Sequence, residues 1–385
     1  MMMRTYPIFM KYVNLMKPLF LMLLAVFCFS CNEKQRDPHV LCSIDLDSAL
    51  SILPEITDVE YIPLATNDTS LIADIDKILY RDGTFYVFDK LGKKVLLFDR
   101  QGNFLKSIHK VGQGPGEYAE PCDMDIDEEG TVYLSDWATQ SIIMYRNGDE
   151  NDCQTIRIGE HFLDFAVVDG SIYLGLVYKD GQVNRNLAVW NREKGCVEPL
   201  KINSLPEGNK LPYRAKHYMF RSDDKVFFYE RFHPYIYHLE ANVVDSYVFF
   251  SSKKVPTEEE VKLWAECAPV DQVQKSFQYI ADVSGCYETD SCILIEFQSL
   301  PVSYCVVDKT TGKKYCLNLR EAVCIPPKGI HGVADNCLLS YFSPSKEMQE
   351  KLLRNLPAGK GVERLKALSE EDNPVLLLFK FNGKI

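Results

Sequence analysis

The sequence lacks the short motifs by which many enzyme and nucleotide sites are recognised. Downstream of residue 31 it has no Cys-x-x-Cys pair, which argues against a zinc site or a thioredoxin-like redox motif. It contains no HExxH, GxSxG or Walker GK[ST] motif, and no Rossmann glycine pattern follows a strand. The 7 histidines are scattered, so the sequence assigns neither metal ligands nor catalytic residues.

Positive charge is also scarce. The 385 residues include 43 Lys and Arg against 54 Asp and Glu, a net charge of -11, which argues against nucleic acid as a partner. An acidic chain is compatible with weak cation binding, so calcium is considered, although no cofactor is predicted. Tryptophan is rare, with 3 residues, whereas Tyr and Phe number 21 each. Because aromatic residues favour strands, this composition indicates a β-rich protein with a large core.

The N-terminus has the pattern of an export signal. A basic segment up to Lys17 precedes an apolar run over residues 18–29, which is short for a membrane span. The run ends at Ser30 and Cys31, as in a bacterial lipobox, although Cys28 stands where leucine is usual. We therefore predict a lipoprotein signal peptide over 1–30 and lipidation of Cys31. An ordinary signal peptide or an uncleaved anchor is the alternative. This predicts a location in the bacterial cell envelope, on a membrane side that the sequence does not specify.

The remaining cysteines do not form a recognisable disulfide framework. After the predicted cleavage and acylation an odd number remains, and several, such as Cys292 and Cys305, lie inside apolar strand segments. We interpret most of them as small buried hydrophobic residues. One pair within residues 286–337 could still form a bridge.

Short β-rich segments recur with a constant spacing. The segments at 84–89 and 94–99 are followed one repeat later by segments at 131–136 and 141–145. The aspartates that end the first and third segments are 136 − 89 = 47 residues apart. Several short strands per unit, separated by turn residues, are typical of propeller blades. Weaker copies continue to residue 379, which gives six units.

The sequence thus predicts an all-β fold, a six-bladed β-propeller over residues 58–385 with short helical insertions. An isolated strand at 59–64 would complete the sixth blade and close the ring, leaving no open edge. Residues 31–57 are predicted to be the lipidated cysteine and a tether. Helices are predicted after a capping box at Thr257 and after Ser343 and Pro344.

These repeats resemble those of the six-bladed β-propeller lipoproteins of Bacteroides-type bacteria, which are related in blade pattern to NHL repeats. The resemblance rests on residues 94–99 with Gly102, on residues 112–118 with Pro121, and on residues 130–136. It implies a propeller over essentially the whole mature chain. It implies no activity, because most members of this group have no assigned biochemistry.

Residues 112–118, Gly-Gln-Gly-Pro-Gly-Glu-Tyr, form the most distinctive loop. Three glycines and a proline cannot lie inside a helix or a strand, so the segment is a shaped connection. Its converging backbone N–H groups could contact a ligand together with Gln113, Glu117 and Tyr118. The alternative is structural, with Glu117 and Tyr118 locking neighbouring blades.

Two further candidates end a predicted strand, Asp136 and Trp137, which could lie at a channel mouth. Because Asp89 ends the equivalent strand, both aspartates could instead bind backbone N–H groups of turns. The acidic run at 123–130 is similar to a calcium loop but has Glu128 where an EF-hand needs glycine. We interpret this run as a strand that leads into a turn.

The predicted function is that of a binding or scaffold module for a glycan, a peptide or an envelope protein, on the face that carries residues 112–118. The absence of a catalytic constellation in the sequence favours binding. The alternative is a metal-assisted hydrolase or lyase, in which acidic residues from several blades would hold a divalent cation in the central channel.

Overall fold

The computed structural model describes residues 40–382, with gaps at 53, 177–186, 201–218, 232, 241–242, 269, 272–273, 275–277, 281, 298–303, 318–325 and 327. Cys31 and the predicted signal peptide lie outside the described residues. Residues from Val40 to Ile385 form one compact unit. None of the helices that the structure describes is long and apolar enough to cross a membrane.

The described strands occur in chain order, as follows: β1 (Cys42–Asp45), β2 (Glu55–Pro63), β3 (Lys77–Arg81), β4 (Thr84–Asp89), β5 (Lys94–Asp99), β6 (Phe104–Ile108), β7 (Pro121–Ile126), β8 (Val132–Asp136), β9 (Ser141–Tyr145), β10 (Cys153–Arg157), β11 (Phe162–Val168), β12 (Ser171–Leu176), β13 (Leu187–Asn191), β14 (Cys196–Pro199), β15 (Met219–Ser222), β16 (Lys225–Tyr229), β17 (Tyr235–Glu240), β18 (Val243–Ser251), β19 (Val283–Glu288), β20 (Cys292–Phe297), β21 (Tyr304–Asp308), β22 (Lys314–Leu317), β23 (Ile330–Ala334), β24 (Cys337–Phe342) and β25 (Val375–Asn382).

The strands form six sheets, which confirms the predicted six-bladed β-propeller. Blades 1 to 5 are β3–β6, β7–β10, β11–β14, β15–β18 and β19–β22, and blade 6 is β23, β24, β25 and β2. The first strand of each blade is innermost, and these six strands contact one another around the central channel. We call the side on which the innermost strands begin the start face, and the opposite side the end face.

The hydrophobic core lies between neighbouring blades. In β4, Phe85 and Val87 pack in a cluster shared with blade 6, whereas Tyr86 and Phe88 pack in a cluster shared with blade 2. Because side chains alternate between the two faces of a strand, both faces of each blade must be apolar. This is why the strand sequences are nearly continuous apolar runs.

The N-terminal strand closes the ring, as predicted. Strand β2 pairs antiparallel with β25, with Tyr61 opposite Leu377, and forms the outer strand of blade 6. Its other edge is covered by residues 359–361, since Tyr61 N donates to Lys360 O at 2.9 Å. A Cβ on Gly361 would lie 2.1 Å from Tyr61 O, so glycine permits this close approach. The pairing with β25 covers one edge of β2, and the bridge to Lys360 covers the other edge around Glu60.

Part of the segment predicted to be a tether belongs to the propeller instead. Within residues 31–57, β1 adds a fifth strand to blade 4 by pairing parallel with β18, and β2 begins at Glu55. Leu50 bridges to Tyr315 in the outer strand of blade 5. The chain therefore runs along the outer edges of blades 4, 5 and 6 in turn. The sequence could not predict this course of the chain, because backbone pairing with distant strands requires no apolar repeat.

Three α-helices have described bounds, α1 (Glu258–Ala265), α2 (Lys346–Asn355) and α3 (Val362–Lys366), and a short 3-10 helix lies at Arg146–Gly148. The predicted capping box of α1 is confirmed, because Glu260 N donates to Thr257 Oγ1 and Thr257 N donates to the Glu260 carboxylate. Helix α2 begins later than predicted, with Ser345 as its N-cap in place of a start at Ser343 and Pro344. Helices α2 and α3 lie between β24 and β25 and pack their apolar side on blade 6.

Candidate functional site

The loop at residues 112–118 is held by its own hydrogen bonds. It joins blade 1 to blade 2 on the start face. Gly112 N donates to Tyr118 O at 2.9 Å, and Gly114 N donates to the Glu117 carboxylate at 2.7 Å. A Cβ on Gly112 would lie 2.0 Å from Glu117 Oε2, so the glycine lets Glu117 fold back over the loop. Gln113 is exposed.

Tyr118 is a core residue. Its side chain is 0% exposed and packs in the cluster between blades 1 and 2. The hydroxyl donates to Lys93 O at 2.8 Å, and burial raises the pKa of Tyr118, which keeps this donor protonated. The hydroxyl of Tyr145 donates to Gly116 O at 2.7 Å. These contacts support the interpretation of the loop as a lock between blades.

Asp136 and Asp89 make the same contact one repeat apart. Asp136 accepts from Glu120 N at 2.7 Å, and Asp89 accepts from Ala73 N at 2.9 Å. The two donors are 120 − 73 = 47 residues apart, so the hydrogen bond itself follows the repeat. Both carboxylates are buried, and each ties the segment before an innermost strand to its own blade. The predicted binding of backbone N–H groups is confirmed.

Trp137 is half-buried and stacks on His161, with ring centroids 4.3 Å apart and an interplanar angle of 28°. The Trp137 backbone N–H donates to Glu120 O at 2.9 Å. This hydrogen bond places Trp137 on the start face, next to the residues that follow the 112–118 loop. The structure thus brings the five predicted site residues to one region. Gln113 is exposed and Trp137 is half-buried, whereas the half-buried Glu117 accepts from Gly114 N, and Tyr118 and Asp136 are buried. Ligand contact by any of the five stays a prediction.

Ion pairs fill the central channel. Asp123 of blade 2 accepts from Lys77 Nζ of blade 1 at 3.0 Å and from Phe165 N of blade 3 at 3.2 Å. Its side chain is 1% exposed. Burial raises the pKa of Asp123, and the facing Lys77 ammonium opposes this effect. One carboxylate therefore links three blades.

A second ion pair crosses the channel from blade 2 to blade 4. Asp125 accepts from Arg221 Nε at 2.7 Å and from Arg221 Nη2 at 2.6 Å, a bidentate contact. Asp125 also accepts from Val167 N at 2.7 Å. Burial acts to lower the pKa of the Arg221 guanidinium, but the Asp125 carboxylate outweighs it and the pKa is raised. The guanidinium is therefore charged, and its hydrogen bonds to Asp125 and to Val167 O satisfy it inside the channel.

The acidic run at residues 123–130, which contains Asp123 and Asp125, forms the end of a strand and a turn, as predicted. Residues 121–126 form β7, and Asp127 accepts from Thr131 N at 2.8 Å inside the turn. Among the described residues, no group of three or more His, Cys, Asp or Glu side chains could hold a metal ion. In the channel, the oxygens of Asp123 and Asp125 are already engaged by cations and backbone N–H groups.

A cavity of about 760 Å³ opens on the end face, where residues of blades 2, 3 and 4 and Arg81 of blade 1 line it. Its volume lies in the range of about 300–1,000 Å³ that is usual for small-molecule sites. Its rim is formed by exposed polar side chains, among them Glu129, Arg146, Gln154, Arg192 and Glu240. We call this cavity the end-face cleft.

The wall of the end-face cleft carries both signs of charge. Arg81 pairs with Asp224, and Tyr133 donates its hydroxyl to Asp127 at 3.0 Å. Burial raises the pKa of Tyr133, so this hydroxyl stays protonated. Arg221 forms the floor, which connects the cleft with the channel. The described lining residues include no serine or cysteine that could act as a nucleophile.

A smaller cavity of about 420 Å³ lies at the channel mouth on the start face. Its lining includes Lys77, Glu296, Lys328 and His331. Burial raises the pKa of Glu296 to about 7, although hydrogen bonds from Tyr304 and Ile330 N oppose the shift. Lys328 pairs with Asp74 at 3.3 Å.

Sequence reasoning missed the residues of the end-face cleft. Its side chains come from segments of four blades, and these segments are far apart in the sequence. One signal was present: an acidic residue precedes glycine in the turns at residues 82–83, 129–130 and 169–170, which follow the innermost strands of blades 1, 2 and 3. Alignment of these turns would have placed them on one face.

The fold and the channel define the class of protein as a six-bladed β-propeller. Residues 42–380 match the family described as a domain of unknown function, DUF4934, and the chain belongs to that family. No protein of curated function matches the sequence.

One solved structure has the same fold, and two others are more distantly similar. A protein of Bacteroides fragilis that is inferred to be exported is 16% identical, with a TM-score of 0.70 over 89% of this chain and 99% of its own. A member of the DUF4221 family from Bacteroides vulgatus is 8% identical, with a TM-score of 0.48 over 85% of this chain and 98% of its own. Virginiamycin B lyase from Staphylococcus aureus is 11% identical, with a TM-score of 0.42 over 74% and 81%. The last two likenesses are too low to support a conclusion about activity.

Proposed function

We propose that this chain is a lipid-anchored binding module of the bacterial cell envelope whose end-face cleft holds a polar peptide segment, free or part of a partner protein. The observation that carries the proposal is the cleft itself. It is larger than the start-face cavity, 760 against 420 Å³, and its lining residues come from four blades. The proposal thus moves the ligand from the face that the sequence favoured to the opposite one.

The charges of the cleft favour a peptide over a neutral glycan. Cations such as Arg146 and Arg192 stand on the same rim as Glu129 and Glu240. A peptide presents both signs of charge and an alternation of backbone donors and acceptors. A neutral oligosaccharide would offer no charge of opposite sign to Arg192 and Glu129, and burying charged groups without such a partner is unfavourable.

The alternative, a hydrolase or lyase that uses a divalent cation in the channel, has no comparable support. It requires free acidic oxygens that converge from several blades. In the described channel, Asp123 and Asp125 face Lys77 and Arg221. A cation would have to displace these side chains, so we do not propose this activity.

Peptide and oligosaccharide arrays probed with labelled residues 32–385 test the proposal. The strongest ligand is then titrated calorimetrically against the variants Arg192→Ala and Gln154→Ala. Both side chains are exposed, so neither substitution should disturb the fold. We expect each to weaken binding by about tenfold, the loss of about 1.4 kcal/mol.

The matched controls lie on the start face. Gln113→Ala and Trp137→Ala remove the accessible side chains of the sequence-predicted site and should leave the affinity unchanged. The opposite pattern would place the ligand at the 112–118 loop. An oligosaccharide as the strongest ligand would overturn the choice of a peptide.

The anchor is tested separately. Cys31→Ser should abolish labelling by a fatty-acid analogue and release the protein from the membrane fraction. Labelling that persists in this variant would show that Cys31 is not the acylated residue.

A further inference from the structure

Two cysteines of blade 5 face each other on neighbouring strands. In the pairing of β21 with β22, Cys305 lies directly opposite Cys316. Both are buried, with 0% and 8% exposure, and both belong to the hydrophobic cluster between blades 4 and 5. Their side chains are therefore on the same face of the blade.

The hydrogen-bond pattern shows which kind of pair this is. Cys316 N donates to Leu50 O, and Leu50 N donates to Lys314 O, so residues 314 and 316 direct their backbone groups away from β21. Asp308 N donates to Lys313 O, which makes 308 with 313 a hydrogen-bonded pair. Because such pairs alternate along an antiparallel ladder, Cys305 and Cys316 form a non-hydrogen-bonded pair.

This geometry suits a disulfide. In non-hydrogen-bonded pairs the Cα atoms are about 4.5 Å apart, and a disulfide needs about 4.4–6.8 Å. The register of β21 and β22 therefore places the two cysteines at a separation that a disulfide can span.

We propose that Cys305 and Cys316 form a disulfide when the protein folds in an oxidising compartment. The bond would join the two outer strands of blade 5, beside the point where Leu50 attaches the N-terminal segment. It would therefore hold the edge to which the tethered segment is fastened. The pairing of the two cysteines is a property of the fold and does not depend on the proposed function. The proposed envelope location matters only because it would supply an oxidant in the cell.

The neighbouring thiols fit less well. Cys286 lies in the same row of residues, but Ile295 stands between it and Cys305. Two strand spacings amount to about 9.5 Å, beyond the reach of a disulfide. Cys42, on β1, packs against the same cluster and is the competitor to be tested.

The chemistry is thiol–disulfide exchange with a disulfide oxidant such as glutathione disulfide. The Cys305 thiol loses its proton and attacks the oxidant, forming a mixed disulfide and releasing one glutathione thiolate. The Cys316 thiol then loses its proton and attacks the Cys305 sulfur, releasing the second glutathione. One S–S bond forms in the protein, and the oxidant is reduced to two thiols.

Burial of the two thiols determines at which stage of folding the disulfide can form. The contact with Cys316 and burial together raise the pKa of Cys305 well above its usual range, so the folded protein presents almost no thiolate. We expect fast oxidation during refolding and slow oxidation of the native reduced protein.

The test is to refold residues 32–385 in a buffer of oxidised and reduced glutathione and to map peptides by mass spectrometry without reduction. The expected result is one cross-linked peptide pair that contains Cys305 and Cys316 and is lighter by two hydrogens. Free thiols at both positions, or linkage of either to Cys42, would overturn the proposal. This result does not depend on where the protein resides or on what it binds.

A second measurement uses matched variants. Reductant should lower the melting temperature of the oxidised wild type by a few degrees. It should not change that of the double variant Cys305→Ala/Cys316→Ala, while Cys286→Ala should behave as the wild type does. An equal response in the wild type and the double variant would contradict the assignment.

Discussion

Replacing Asp125 by leucine leaves the Arg221 guanidinium in the channel without its carboxylate. Arg221 has two charge-assisted hydrogen bonds to Asp125, at 2.7 and 2.6 Å, and only 8% of its side chain is exposed. Removing one partner of a buried ion pair typically costs about 3–5 kcal/mol, because the other charge stays buried. Asp125→Leu and Arg221→Met are each expected to lower the free energy of unfolding by about this amount.

The double variant Asp125→Leu/Arg221→Met removes both charges. It should be destabilised by much less than the sum of the single variants, with a coupling of at least about 2 kcal/mol. Part of the cost should remain, because Val167 N loses its acceptor in both Asp125 variants.

Urea unfolding followed by far-UV circular dichroism measures all three values, with the m-value as the check on two-state behaviour. The exposed pair Lys194–Glu198 provides the control, since Glu198→Ala should change nothing measurable. Single-variant losses that simply add up in the double variant would refute the view that this pair holds blades 2 and 4 together.

Three further predictions test other parts of the structure. Because burial raises the pKa of Glu296 to about 7 in the folded state, the free energy of unfolding should fall by up to about 3 kcal/mol as pH rises from about 4.5 to 7, and Glu296→Gln should remove this fall in urea titrations at several pH values. Gly116→Ala should destabilise the protein more than Gly159→Ala in thermal unfolding. Both glycines have positive φ, but only the Cβ added at Gly116 would meet another atom, Cys153 Sγ at 2.2 Å. Equal losses of stability in the two variants would contradict the packing described for the loop. A chain that begins at residue 64 lacks β2 and exposes the edge of β25, so it should aggregate at temperatures where the chain from residue 40 stays monomeric in size-exclusion chromatography.

The blades could be predicted because their information is local. The 47-residue repeat, the strand sequences from Thr84 to Tyr145 and the closing strand all appear as runs of residues that are adjacent in the chain. The predicted role of Asp89 followed from its recurrence at Asp136. The structure shows that this recurrence reflects one hydrogen bond made twice.

What the sequence could not show depends on residues that are far apart. Strand β1 is defined by pairing with β18, about two hundred residues away, and its own four residues carry no distinctive pattern. The ion pair of Asp125 with Arg221 spans 96 positions, so the alternating acids of β7 could be read only as strand residues. The end-face cleft requires segments of four blades to be aligned, and the spacing between blades varies after blade 2.

The disulfide was predicted only as some pair within residues 286–337. Register and hydrogen-bond phase were needed to choose Cys305 and Cys316, because each of the four strands of blade 5 carries a cysteine. The same argument removes Cys286, which lies in the correct row but one strand too far away.

The most direct test of the central claim is to titrate the strongest array ligand against Arg192→Ala and Trp137→Ala in parallel. These side chains lie on opposite faces of the propeller, and each contributes to one of the two candidate sites. Ligand binding in the end-face cleft predicts affinity about tenfold weaker for Arg192→Ala and unchanged for Trp137→Ala. Unchanged binding by Arg192→Ala together with weakened binding by Trp137→Ala would contradict the account and return the site to the start face.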